Sequence, residues 1–96
     1  MNHVEKLLWW LITAKRGGIN RARIIEELHN QPYNANQLAT ELNLDYKTIQ
    51  HHLKILHENN IIYTLDDSYG KLYFLTDKME ENYPVFEEII SKIKKK

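Results

Sequence analysis

Residues 34–59, "NANQLATELNLDYKTIQHHLKILHEN", decide how this 96-residue chain is read. Asn34 is followed three residues on by Gln37, the spacing at which each side chain answers the other's free backbone N–H at a helix start. A short helix is predicted over 35–42, with Leu38, Ala39 and Leu42 facing inward. Asn43 stops it, because Asn is among the few residues that accept a left-handed backbone. Only Leu44 then separates the stop from Asp45, a natural N-cap. A second helix is therefore predicted over 46–59.

The two sides of that second helix differ in chemistry. At about 100° per residue, Ile49, Leu53, Leu56 and His52 share one side. Gln50, Lys54, Lys47 and His51 occupy the other, with Tyr46 at the N-terminal edge. Two helices joined by a turn of about three residues, with Ala on the first and Asn at the turn, form the signature of a helix-turn-helix. Ala39 sits where the helices approach, so a larger side chain there would push them apart. The outward side suits a nucleic acid. Lysines neutralise phosphates, while Gln and neutral His both donate and accept hydrogen bonds at base edges.

Outside this stretch the pattern stays helical, with one exception. Residues 3–15 read as a helix with an apolar stripe of Val4, Leu7, Leu8, Leu11 and Ile12, widened by Trp9 and Trp10. Gly17-Gly18 end it. A helix over about 19–30 follows, with Asn20 as its cap and Ala22, Ile24, Ile25 and Leu28 buried. Arg21 and Arg23 stand near its start, where the helix dipole disfavours cations, and this placement hints at an external anion. The exception is 61–75, "IIYTLDDSYGKLYFL", rich in β-branched and aromatic residues and interrupted by turn formers. It reads as a two-stranded hairpin with Gly70 in the turn. Thr76-Asp77 open a last helical region, whose main helix is expected over 84–94 with Val85, Phe86, Ile89, Ile90 and Ile93 as its apolar stripe.

Bulk properties bound the function. Hydrophobic residues make up 43%, enough for a core in one compact domain spanning 1–96. There is no Cys, which removes disulfides and thiolate chemistry and fits an intracellular, cytoplasmic setting. No signal peptide is visible, and the run "LLWWLI" is far short of the ~20 residues of a membrane span. Net charge is zero, yet charge is segregated: residues 65–91 hold two basic and seven acidic residues, and the closing "KIKKK" adds four lysines. A positive surface can therefore exist locally. No phosphate-cradling glycine loop, paired buried acid and base, or activated nucleophile stands out, so an enzyme is not expected. His51 and His57 differ by about 120° around their helix and make a poor metal pair.

The segment "NQLATELNLDYKTIQHHLKILHENNII" resembles the helix-turn-helix of ArsR-type winged-helix transcriptional repressors. The family pattern is matched by Leu38-Ala39, Leu42, Leu44, Thr48-Ile49, His52-Leu53-Lys54 and Leu56, with Ile61-Ile62 opening the wing. The stretch "GGINRARIIEELHNQPYNANQLA" is similar to small archaeal members of the superfamily. The resemblance covers nearly the whole chain and implies a mainly α winged helix-turn-helix with a small β-hairpin, in the order α-α-α-α-β-β-α. It further implies a homodimeric regulator that binds double-stranded DNA. Tyr46, Lys47, Gln50, His51 and Lys54 map onto the family's recognition positions. Arg21, Arg23 and Lys71 are the further expected phosphate ligands. In the family the first and last helices form the dimer, which here points to Leu7, Leu8, Trp9, Trp10 and Leu11 with Phe86, Ile89, Ile90 and Ile93. The chain departs from the family's metal sensors: it has no Cys and no His after His57, so neither a metal nor another cofactor is expected. Its wing is also weakly basic, with Lys71 set against Asp66 and Asp67. A protein-interaction module on the same fold, with the acidic 65–91 segment facing a partner, is the rival expectation.

Overall fold

The chain is described from a computed structural model over residues 2–13, 16–65 and 71–94. Its elements are α1 (His3–Thr13), α2 (Gly18–Asn30), α3 (Ala35–Leu42), α4 (Tyr46–Glu58), β1 (Ile62–Thr64), β2 (Tyr73–Leu75), α5 (Asp77–Glu81) and α6 (Tyr83–Lys94). One apolar cluster runs through all of the helices and the hairpin. At its centre Leu8, Leu11, Ile24, Ile25, Leu38, Ile49 and Leu56 have no exposed surface. Each such side chain removed from water contributes roughly 1.5–3 kcal/mol.

The expected order holds, with local differences. α1 is described to Thr13, and the predicted continuation over 14–15 lies outside the described residues. α2 starts one residue before its predicted beginning, and Asn20 is not its cap. Gly17 holds that place with φ +81°, and Asn20 lies inside the helix. A Cβ on Gly18 would run into the Ile12 carbonyl, so glycine is what lets α2 start against the end of α1. At the other end, Thr76 caps α5 by accepting from Met79 N–H. The same hydroxyl donates to the Asn60 carbonyl at 2.8 Å and so ties the exit of β2 to the entry of β1. Asn60, with φ 59°, makes the bend that ends α4.

The hairpin is antiparallel, with Ile62 opposite Leu75, Tyr63 opposite Phe74 and Thr64 opposite Tyr73. Tyr63 and Phe74 stack across it, with ring centroids 5.3 Å apart. The predicted turn at Gly70 lies outside the described residues. Tyr73 also donates its backbone N–H to the Tyr33 carbonyl at 2.9 Å. This single bridge fastens the hairpin to the segment that leads into α3. On the far side, His29 stacks on Tyr83 at 3.6 Å and meets Glu80 at 2.8 Å, joining α2 to α5 and α6.

Candidate nucleic-acid interface

The α3–turn–α4 unit forms as the residues dictate. Gln37 N–H donates to Asn34 Oδ1 and Asn34 N–H donates to Gln37 Oε1, each at 2.8 Å, completing the capping box. Asn43 takes the left-handed conformation at φ 54°, and Leu44 N–H closes back onto the Ala39 carbonyl at 2.9 Å. Asp45 Oδ2 accepts from the backbone N–H groups of Lys47 and Thr48 at 3.0 and 3.2 Å. Caps at both ends of the three-residue interval 43–45 leave the turn little freedom. The angle between α3 and α4 is then set by packing of Leu38 and Leu42 in a core that also holds Ile49 and Leu53.

α4 is divided as expected. Ile49, His52, Leu53 and Leu56 are buried, while Tyr46, Lys47, Gln50, His51, Lys54 and His57 are exposed. Gln50 Nε2 donates to the Tyr46 hydroxyl at 3.0 Å, so these two side chains present one joined polar edge. No acidic residue lies in the first turn of α4 itself. The hairpin extends this surface. An open groove of about 310 Å³ runs between α4 and the wing, bordered by Gln50, Lys54 and His57 on one side and Thr64, Lys71 and Tyr73 on the other. Lys71 thus joins Lys54 at one groove, with Glu58 as its acidic member. Thr64 and Tyr73 had no sequence signal beyond strand propensity. Their place beside α4 follows from how the hairpin folds back.

Several expectations need correction. Arg21 is not an outward phosphate ligand. It is 5% exposed, and its Nε donates to the Leu11 carbonyl at 2.7 Å. Arg23 is half-buried and engaged: Nη2 donates to the Leu42 carbonyl at 2.7 Å and Nη1 to Asn20 Oδ1 at 3.3 Å. It braces α2 against the end of α3. Leu8, Leu11, Phe86 and Ile89 are buried in the chain's own core and leave no surface for a partner. Both helices were over-apolar because they pack on each other as well as on α2. Of the remaining expected interface residues, Trp10 is 62% exposed, and Leu7, Trp9, Ile90 and Ile93 are half-buried. Lys92 Nζ lies 5.8 Å from the centre of the Trp9 ring.

Among the described residues no group of three His, Cys, Asp or Glu side chains is arranged to hold a metal ion. No described helix is long and apolar enough to cross a membrane.

A helix-turn-helix whose second helix is bare on its outer side, flanked by a two-stranded wing, defines the winged helix class. Residues 20–64, from α2 to the end of β1, match the family described as "Bacterial regulatory protein, arsR family". That match covers just under half of the chain, and the chain as a whole has the winged helix-turn-helix fold. Solved structures share the fold at low identity. A MarR transcriptional regulator from Methanosarcina mazei Go1 superposes with a TM-score of 0.72 at 19% identity, covering 93% of this chain and 62% of that one. HlyU from Vibrio cholerae N16961 gives 0.67 at 14% identity, covering 93% of this chain and 97% of that one. Rv0081 of M. tuberculosis gives 0.68 at 16% identity, covering 97% and 94%. The chain thus spans less than two thirds of the Methanosarcina protein and nearly all of the other two. No curated protein sequence matches it.

Proposed function

We propose that the chain is a homodimeric, sequence-specific regulator that lays α4 in the major groove of double-stranded DNA. The observation that carries this reading is the bare side of α4: Tyr46, Lys47, Gln50, His51 and Lys54 exposed together, on a helix whose other side is fixed in the core. Gln50 and His51 read base edges, while Lys47, Lys54 and, across the groove, Lys71 hold phosphates. Arg21 and Arg23 have no part in it, because Arg21 is buried on the Leu11 carbonyl and Arg23 is engaged by the Leu42 carbonyl and Asn20 Oδ1.

The exposed Trp10, with half-buried Leu7, Trp9, Ile90 and Ile93, supports association through α1 and α6. Paired chains of this kind place two recognition helices about 34–36 Å apart, one turn of DNA, on an inverted repeat.

Selection of bound duplexes from a random pool, followed by a salt titration of the selected site, tests the reading. A two-fold symmetric site is expected. A dimer neutralising roughly 6–10 phosphates loses about 10³–10⁵-fold in affinity between 50 and 200 mM salt. No enriched sequence, together with a flat salt response, overturns the proposal in favour of a protein-interaction module.

A further inference from the structure

One buried polar cluster takes no part in the interface. Arg21 and His52 are each 5% exposed. Arg21 Nε donates to the Leu11 carbonyl at 2.7 Å, Nη2 donates to the Arg16 carbonyl at 3.4 Å, and Nη1 lies 3.5 Å from His52 Nδ1. A guanidinium keeps all its protons, so Nη1 is the donor and Nδ1 the acceptor. His52 is then neutral, with its proton on Nε2. Gly17 closes the cluster. A side chain there would collide with His52 Cε1 and stand 2.9 Å from Arg21 Nη1, at a φ of +81° that already favours glycine. The end of α1, the turn into α2, and α4 thus meet on one guanidinium. A buried arginine ordinarily requires a counter-charge, yet neither Arg21 nor His52 has a carboxylate partner among the described residues.

We infer that Arg21 is a positioning residue for the DNA-reading face, holding His52 and through it the seating of α4, and that protonation of His52 releases this hold. The inference rests on reading α4 as the DNA-reading helix. His52 is followed on the helix by the core residue Leu53 and preceded by the outward His51, whose ring centroid is 5.3 Å away. A change in how residue 52 is seated therefore reaches the exposed side directly.

The groups that face His52 make it acid-sensitive. From α2 comes Arg21 and from α4 itself His51. The α1–α2 turn presents Gly17, and α1 reaches His52 through the Leu11 carbonyl that Arg21 binds. Burial, then Arg21, then His51 all disfavour a proton on His52. An added proton would set donor against donor and two cations side by side. An unfolded histidine takes its proton near about 6.5, and the folded one only at lower pH. The hold is therefore fully present above that value and is lost as the pH falls from there through the lowered folded value.

The test is amide hydrogen exchange of the free full chain at neutral pH and at pH about 5, for wild type, Arg21→Met and His52→Asn. Expressed as protection factors, wild-type α4 is expected to lose protection in acid, as a histidine whose proton is disfavoured in the folded state requires. His52→Asn places Oδ1 where Nδ1 stood and takes no proton, so its α4 protection stays level. Arg21→Met is expected to lose protection already at neutral pH. If it does not fold, His52→Asn decides, since it leaves the carbonyl bonds of the guanidinium in place. An equal acid loss in His52→Asn, or no acid loss in wild type, overturns the hold. Affinity for a selected duplex separates the two readings. Acid acts on the duplex and on the rest of the chain alike in both proteins, so only their ratio counts. Wild type is expected to weaken relative to His52→Asn as the pH falls, and an unchanged ratio overturns the positioning role. If no duplex binds at any pH, the DNA reading falls, and with it the positioning role. Exchange still decides whether the cluster holds α4.

Discussion

Two helices of this chain carry cations near their N-terminal ends, α2 with Arg21 and Arg23 and α4 with Lys47, and they turn them in opposite directions. α2 lies between α1 and α4, so residue 21 meets the interior, where backbone carbonyls and one imidazole nitrogen await a donor. α4 is packed on one side only, and Lys47 extends into solvent. The residue types fit the two settings. A guanidinium offers five donors in a fixed plane and can serve several acceptors at once, while an ammonium is a hydrated point charge on a flexible stem. A basic residue at a helix start is thus no guide to its destination, and the neighbours of the helix decide whether its charge is structural or free for a partner.

Reversing both outward charges, Lys47→Glu with Lys54→Glu, is expected to have the largest effect. DNA binding is lost at moderate salt, and any residual binding shows a salt slope reduced by about four in a dimer, one for each lost phosphate contact. Circular dichroism and the melting temperature should stay near wild type, since neither side chain is buried. Retained binding would erase the distinction between the two helix starts. Next comes Ile49→Ala, on the packed side of the same helix, which is expected to cost about 2–5 kcal/mol in denaturant unfolding. Its DNA affinity, measured where the protein is still folded, should fall far less than in the double charge reversal.

Arg23→Met sharpens the comparison, because Arg23, a phosphate ligand by its sequence position, is instead a brace to the Leu42 carbonyl. A stability loss of about 1–2 kcal/mol with an unchanged salt slope is expected. A lower slope at unchanged stability would return Arg23 to the DNA surface. The smallest effect is expected for Asp45→Ala, which removes one cap from α4. It should cost about 1 kcal/mol, read as a small shift of the unfolding midpoint, and leave sequence preference intact.

What could be read in advance follows a physical boundary. The capping box of Asn34 and Gln37, the left-handed Asn43, the Asp45 cap and the two sides of α4 were all legible, because each depends on residues within one or two turns of each other. His52 was legible as a core histidine for the same reason: its side of the helix is fixed by Ile49, Leu53 and Leu56. The bond from Gln50 to Tyr46 spans four residues and follows from the same wheel. By contrast, the groove partners Thr64 and Tyr73 reach α4 only through the fold of the hairpin. The bridge from Tyr33 to Tyr73 joins residues 40 apart, and nothing near Tyr33 marks it as extended enough to pair.

By itself, then, the sequence determined the helix-turn-helix and which side of α4 is polar, since caps and helical periodicity act over a few residues and need no other part of the chain. Tertiary structure alone decided the fate of Arg21, which sits in the core because carbonyls at Leu11 and Arg16 and the ring of His52 converge on it from three segments. It also decided that Leu8, Leu11, Phe86 and Ile89 belong to the chain's own core and not to a partner surface. An apolar stripe states that a face must be covered, and only the packing of the other helices states by what.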